Sequence, residues 1–229
     1  MNKTIFATAL VTGLGLSSIT SPAMAYEAGD WLIRGRVINI NPNDDSGQLY
    51  ADVGGGYFAA GEGVKVDTDT VPELDITYML TKNWGLELIL GYSEHTVAGE
   101  KNWAALGDVI DSKVLPPTLT LQYHFMPDSD IRPYVGVGIN YTHFFDEEVA
   151  GVIDTPGSKV ELDDSWGLAA QAGVDVAINQ DWFMNVDLKY IDIDTEAHFD
   201  NIAGGSYQRA RINADIDPFV WGIGIGRRF

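Results

Sequence analysis

The residues of this sequence that could support metal binding or catalysis are few and scattered. Its histidines are isolated from one another, at His95, His124, His143 and His198, and none has a partner at the spacing of a metal site. The sequence contains no cysteine, which excludes disulfides, thiolate ligands and cysteine nucleophiles. It also lacks the nucleophile-elbow, phosphate-loop and dinucleotide motifs. We therefore expect neither an enzyme nor a bound cofactor.

Three acid pairs resemble fragments of calcium-binding loops, because their carboxylates lie two residues apart. A calcium loop also needs a glycine and a bidentate glutamate at fixed offsets, and these are missing here. We therefore predict no dedicated metal site at the pairs Asp67 and Asp69, Asp192 and Asp194, and Asp215 and Asp217.

The overall charge is strongly acidic. The 229 residues include 33 acidic and 14 basic side chains, for a formal net charge of −19. This balance excludes a protein that binds nucleic-acid phosphates, which would need a basic surface. Hydrophobic residues make up 45% of the chain, which is enough for a core or a lipid-facing surface and excludes global disorder.

The first 25 residues have the features of a secretory signal peptide. A single charge at Lys3 precedes an apolar stretch from Ile5 to Ile19, and Ala23-Met24-Ala25 forms a small-residue cleavage site. We predict that residues 1–25 are removed, leaving a single domain over residues 26–229. No later stretch is apolar over the roughly 20 residues that a membrane helix needs.

The remainder of the chain alternates between apolar and polar residues with a period of two, the pattern of β-strands. Eight such stretches have roughly the length that a tilted strand needs to cross a bilayer. They are residues 31–37, 74–80, 86–92, 115–125, 135–141, 166–176, 184–190 and 219–225.

The connections between these stretches also alternate, between short and long. Short turns are expected at residues 81–84, 126–133 and 179–182, and long loops at about 41–71, 93–114, 142–165 and 192–217. In an up-and-down barrel, all the long loops then share one rim. Short periplasmic turns and long extracellular loops are typical of outer-membrane barrels.

Two architectures fit eight alternating strands: a soluble calyx with its apolar face inward, and a membrane barrel with its apolar face outward. Aromatic residues near the strand ends favour the membrane barrel, because they can form interfacial girdles. Charges on the opposite face also favour it, since they would be costly against lipid. We therefore predict an all-β, eight-stranded antiparallel up-and-down transmembrane β-barrel, with these charges inside: Arg34, Arg36, Glu73, Asp75, Glu87, Asp175, Asp187 and Lys189.

Most of the acidity falls on the four long loops, which together carry a net charge of about −17. A like-charged rim can attract cations within about a Debye length, ~8–10 Å. Two interpretations stay open at this point. The rim is a cation-attracting vestibule or a site of divalent bridges to lipopolysaccharide, or it is simply a solvated surface.

Several segments resemble the outer-membrane protein W (OmpW) family. The resemblance covers nearly the whole chain from residue 27 and is weakest at residues 41–70 and 94–113. It implies a small outer-membrane barrel with an apolar lumen that passes small hydrophobic molecules or serves as a minor porin. The segments are Leu115–Leu119, Arg132–Thr142 with Phe144–Asp146, Asp164–Gly167, Gly173–Asp175, Asn179–Trp182, Asp192–Thr195 and Asp217–Phe229.

The candidate residues for a solute pathway follow from this arrangement. Ile89, Gln122, Asp187 and Lys189 are expected at the lumen constriction, with Phe144 and Trp166 near the outer mouth. Lys189 departs from the apolar constriction that the family implies. Asp187 and Glu87 are its candidate partners, because an unpaired buried charge would be costly.

Prolines mark a second candidate feature. Pro72, Pro116 and Pro117 lie near the outer ends of neighbouring strands, and proline cannot donate to a strand ladder. They could loosen the wall and allow lateral exit into the bilayer, or they could only mark strand ends. Phe229 resembles the terminal signal read by the barrel-assembly machinery.

Three functions remain from the sequence. The first is a passive outer-membrane channel for small, largely hydrophobic solutes. The second is a structural or interaction barrel with a plugged lumen, whose acidic loops bind partners. The third, a soluble ligand-binding calyx, fits least well. Lipopolysaccharide, outer-membrane lipid and the barrel-assembly machinery are the expected partners, nucleic acid is not, and homo-oligomer formation stays open.

Overall fold

The computed structural model describes residues 25–43, 45–46, 48–52 and 54–229. The predicted signal peptide lies outside these residues except for Ala25. Two short 3₁₀ helices occur, Lys101–Leu106 and Gly151–Ile153, and no helix in the described residues is long and apolar enough to cross a membrane. The strands are β1 Trp31–Asn41, β2 Asp45–Ser46, β3 Gln48–Asp52, β4 Tyr57–Glu62, β5 Val64–Val66, β6 Asp69–Met79, β7 Trp84–Gly91, β8 Ser93–Gly99, β9 Asp108–Leu115, β10 Thr118–His124, β11 Ile131–Val149, β12 Lys159–Leu162, β13 Ser165–Ala177, β14 Trp182–Ile191, β15 Asp194–Ile202, β16 Tyr207–Asp215 and β17 Phe219–Arg228.

Eight of these strands close into an antiparallel barrel, as the sequence predicts. Their order around the wall is β10, β7, β6, β1, β17, β14, β13 and β11, and β11 pairs again with β10. The first and last strands pair from Leu32 with Arg228 to Asn41 with Phe219. Closure through this pairing leaves the membrane part of the barrel without a free edge.

The direction of each side chain follows from the alternation in the sequence. Along the first part of β1, every second residue is buried, so Arg34 and Arg36 point inward while Ile33 and Val37 point outward. The exposed apolar residues of the other barrel strands continue this outward surface. An outward apolar band around a closed barrel is typical of a surface that faces lipid.

Side chains fix the short turns at one end of the barrel, which we call the short-turn end. In the turn between β6 and β7, Thr81 Oγ1 accepts hydrogen bonds from the backbone N–H groups of Asn83 and Trp84. Between β13 and β14, Asn179 Oδ1 accepts from Asp181 and Trp182 in the same way. Such turns reverse the chain within a few residues and hold adjacent strands in register.

The four long connections predicted from the sequence contain β-strands of their own. β8 and β9 form a hairpin that pairs with β5 and with the upper half of β11, while β12, β15, β16, β3 and β4 form a second sheet. Together these strands extend the wall beyond the barrel. We call this part the β-extension.

Side-chain polarity is inverted between the barrel and the β-extension. In β15, Ala197 and Phe199 point inward and are buried, whereas His198 and Asp200 are exposed. Water on the outside and an enclosed apolar space on the inside account for this reversal. Alternation with a period of two therefore occurs in both parts. In the barrel it places apolar side chains outside, and in the β-extension it places them inside.

Candidate functional site

The short-turn end of the lumen is closed by an apolar cluster. Tyr26, Leu32, Met79 and Phe183 pack together and are almost fully buried. The Tyr26 ring meets His124 edge-on, with 5.4 Å between ring centroids, and its hydroxyl donates to Asp175 Oδ2 at 2.9 Å. Tyr26, which follows the predicted cleavage site, therefore helps to close this end of the lumen.

Arg34 forms the next layer above this cluster. Its guanidinium binds Asp175 in a bidentate manner, at 3.2 Å from Nε and 2.7 Å from Nη2. Nη1 donates to Thr77 at 2.7 Å and to Glu87 at 3.1 Å. A fully buried guanidinium needs such a set of acceptors to offset its lost hydration.

Glutamines complete the Arg34 layer. Glu87 Oε2 accepts hydrogen bonds from Gln122 and Gln171, each at 2.7 Å. Gln122, expected at the constriction, therefore lies inside this hydrogen-bonded network and is fully buried. It does not line an open passage.

Arg36 and Lys189 form the upper layers. Arg36 donates to Asn185 at 2.7 Å and to Glu73 at 3.1 Å. Lys189 Nζ donates to Glu73 Oε1 at 2.7 Å and to Asp187 Oδ1 at 3.0 Å. Of its two expected partners, Asp187 contacts Lys189, whereas Glu87 belongs to the Arg34 layer instead.

These layers fill the lower lumen, and we call them the charged plug. An eight-stranded barrel is just wide enough for side chains to fill it, and the layers between Tyr26 and Lys189 do so. The apolar lumen implied by the family resemblance is thus wrong for this half of the barrel, because buried ion pairs occupy it. The plug contains Arg34, Arg36, Glu73, Asp75, Thr77, Glu87, Gln122, Tyr134, Gln171, Asp175, Asn185, Asp187 and Lys189.

Above the charged plug lies an apolar cavity of about 260 Å³. Ile38, Ile89 and Val220 lie at its floor beside Glu73, and inward side chains of the β-extension form its walls. Ile89 and Phe144, both expected along the pathway, line this cavity and are buried. Apolar walls with a few polar groups are typical of small-molecule sites.

One expected site residue lies away from its predicted place. Trp166 does not line the outer mouth, because its position in β13 points outward. It is 71% exposed and packs beside Tyr141 at 4.7 Å between ring centroids. Phe229 pairs its backbone N–H and C=O with Trp31, and its assembly role stays a prediction.

The walls of the cavity are not predicted by the sequence pattern. Ala197, Phe199, Ala210 and Ile212 fall within the predicted long loop 192–217, yet they are buried in β15 and β16. Their alternation with His198, Arg209 and Arg211 was the available signal. It was hidden by the many charged residues on the outer face.

The barrel wall is interrupted beside the cavity floor. Ile89 pairs with Thr118 between β7 and β10, and Ser93 pairs with Val114 between β8 and β9, in one continuous register. Residues 90–92 and 115–117, all of which the structure describes, form no backbone pair with each other between these points. We call this interruption the ladder break, and it contains Pro116 and Pro117.

The neighbouring ladder, between β6 and β7, is also interrupted near Tyr92. The pairing of β6 with β7 ends at Glu73 and Gly91, one residue from Pro72. Beyond it, carboxylates of Asp67 and Asp69 replace backbone acceptors for the N–H groups of β8. The cavity lining includes Gly91, Tyr92 and Pro116, so the cavity extends to the ladder break.

Within the part of the chain that the structure describes, two groups of side chains at the β-extension could hold a metal ion. In each, three ligand atoms lie within 4.8 Å of one another: Asp163, Glu196 and His198 in one, and Asp192, Asp194 and Asp217 in the other. The second group unites residues from two of the acid pairs of the sequence. Burial and repulsion from Asp215, Asp192 and Asp217 raise the pKa of Asp194.

Because its pKa is raised, Asp194 is expected to destabilise the β-extension in a pH-dependent way. A carboxyl whose pKa is raised by folding destabilises the fold above that pKa, and the effect vanishes below the ordinary value of about 3.9. We expect Asp194→Asn to slow hydrogen exchange of the Ile216 amide, which donates to Ile193, by about twofold at neutral pH. NMR exchange at pH 7 and at pH 3 tests this, and faster exchange at pH 7 would contradict it.

Comparisons with known proteins agree with this architecture. The sequence profile of the OmpW family matches residues 27–229. Outer membrane protein W of Vibrio cholerae serotype O1 is 34% identical over 233 residues, covering 100% of each chain. The dibenzothiophene metabolism operon protein PahQ of Pseudomonas aeruginosa is 27% identical, covering 93% of this chain and 95% of that protein.

A solved structure shows the same fold. The crystal structure of the outer membrane protein OprG from Pseudomonas aeruginosa matches with a TM-score of 0.82 and 36% identity. The match covers 90% of this chain and 99% of OprG. The similarity therefore includes both the barrel and most of the β-extension.

Proposed function

Because the chain belongs to the OmpW family of outer-membrane proteins, we propose that it takes up small, largely hydrophobic solutes and releases them sideways into the outer membrane. The process is passive, since it needs only a solute gradient. The solute enters the β-extension, rests in the apolar cavity and leaves through the ladder break. The long-connection end faces the outside of the cell in this proposal.

One observation carries the proposal: an apolar cavity that is closed below by the charged plug and extends sideways to the ladder break. An axial route would require the solute to displace paired charges between Arg34 and Lys189, at a cost of several kcal/mol per ion. A lateral route requires no broken ion pair. It also delivers an apolar solute directly into an apolar medium.

The name of a relative agrees with an apolar solute. PahQ is called a dibenzothiophene metabolism operon protein, and dibenzothiophene is a flat apolar molecule. The cavity of about 260 Å³ is near the lower limit of typical ligand sites. Small solutes of this type are therefore the first candidates for this chain.

Filling the cavity tests the proposal. Ala210 is buried and lines the cavity, so Ala210→Phe should occupy space that the solute needs. We expect dibenzothiophene uptake to fall to the rate of protein-free vesicles, measured by its fluorescence in vesicles with an outer leaflet of lipopolysaccharide.

The matched control for this experiment is Ala59→Phe. Ala59 is exposed in β4, outside the cavity lining, and this variant should retain wild-type uptake. Unchanged uptake in a correctly folded Ala210→Phe barrel would contradict the proposal.

A second candidate function is a structural or interaction barrel, which the charged plug favours because it closes the lumen. Its acidic outer surface would bind partners such as lipopolysaccharide through divalent cations. This alternative predicts that phenotypes follow changes to the outer face of the β-extension. It also predicts that Ala210→Phe has no effect in cells.

A further inference from the structure

Glu73 has an unusual position at the floor of the apolar cavity. Its side chain is only 3% exposed, yet it belongs to the cavity lining. It lies opposite Gly91 in the last pair of the β6–β7 ladder, directly before the interruption at Pro72. A solute resting on the floor would therefore meet this carboxylate beside the proposed exit.

Among the residues that the structure describes, hydrogen-bond donors contact only one oxygen of Glu73. Lys189 Nζ donates to Oε1 at 2.7 Å, and Arg36 Nη1 donates to the same atom at 3.1 Å. Oε2 receives no hydrogen bond from any residue that the structure describes. Because Glu73 lines the cavity, a ligand there that donates a hydrogen bond to Oε2 is stabilised.

The charges below Glu73 favour the same kind of ligand. Among the described residues, the buried lumen holds five carboxyl groups and four basic side chains. Asp75, on the same strand, receives no hydrogen bond of good geometry from a described residue, and its Oδ2 lies 3.2 Å from Arg36 Nε. Of these carboxyl groups, Glu73 lines the cavity, where it disfavours an anionic group and favours a donor or a cation.

We infer that the solute of this barrel has an apolar body and a single hydrogen-bond-donating head, a hydroxyl or a primary amine, which binds Glu73 Oε2. The apolar body fills the cavity between Ile38, Ile89 and Val220. A carboxylate head of equal length is excluded by Glu73. This inference rests on the proposed function and specifies its substrate class.

Binding of four probes to the wild-type barrel tests the inference without any mutation. The probes are 1-octanol, its isomer 1-methoxyheptane, n-octylamine and octanoate. Affinities are measured in lipid nanodiscs from the methyl NMR signals of Ile89 and Val220, with empty nanodiscs as the correction for partitioning. We expect 1-octanol and n-octylamine to bind about tenfold more tightly than the ether, and octanoate to bind most weakly.

A variant isolates the carboxylate. Glu73→Gln removes its charge at nearly constant size, and we expect it to reduce the preference for n-octylamine over the ether at least threefold. Equal affinities of alcohol and ether in the wild type, or tight binding of octanoate, would overturn the inference. If the probes bind equally and still enter vesicles, the inference fails and the proposed function is retained. If no probe binds or enters, both the inference and the proposed function fail.

Discussion

Replacing Arg34 with methionine is expected to destabilise the barrel by about 3–5 kcal/mol. Arg34 is fully buried and binds Asp175, Glu87 and Thr77 simultaneously. Methionine matches much of its length but leaves Asp175 without its cation and Glu87 with only the more distant Arg36 Nη2, at 3.7 Å. The measurement is urea-induced unfolding of the protein in lipid vesicles, followed by tryptophan fluorescence.

An exposed ion pair provides the control for Arg34→Met. Lys82 Nζ lies 3.1 Å from Asp128 Oδ2, and both side chains are more than half exposed. Because surface pairs contribute little, Lys82→Met should change the unfolding free energy by less than about 1 kcal/mol. Equal losses in the two variants would show that the charged plug does not stabilise the barrel.

The fold was predictable because one physical requirement dominates the membrane-spanning part. Lipid outside and polar groups inside impose a strict alternation, which is visible in β1 from Trp31 to Val37. The β-extension was missed because water replaces lipid on its outer face. Charges such as Asp200 and Arg209 then obscure the buried partners Phe199 and Ala210.

The candidate site was predictable only in part. Alternation placed Lys189 and Asp187 inside the barrel, and the chemistry of proline marked Pro116 and Pro117 as weak points of the ladder. Which carboxylate binds Lys189 depends on where β6 and β14 lie around the closed wall. The unused oxygen of Glu73 depends on the same packing, and no local pattern of sequence contains that information.

A disulfide across the ladder break should stop solute transport. Positions 91 and 116 lie opposite each other in the register set by the pairs Ile89–Thr118 and Ser93–Val114. A side chain added at Gly91 meets open space, and the native chain has no cysteine that could compete. Both positions line the cavity, so we expect Gly91→Cys combined with Pro116→Cys to bridge the interruption covalently on oxidation, which mass spectrometry of the oxidised protein checks.

The control for this lock is a disulfide in the intact part of the same ladder. Leu86 and Leu121 are paired between β7 and β10, so the variant with cysteine at both positions carries an equivalent cross-link away from the cavity. It should transport equally well when oxidised and when reduced. Any general effect of oxidation or of cross-linking then appears in both proteins.

The most direct test of lateral release is dibenzothiophene uptake by the variant with Gly91→Cys and Pro116→Cys, measured before and after reduction. Lateral release predicts that the oxidised protein transports no faster than protein-free vesicles and that dithiothreitol restores uptake. Equal uptake by the oxidised and reduced forms would contradict it and would return the route to the axis of the barrel.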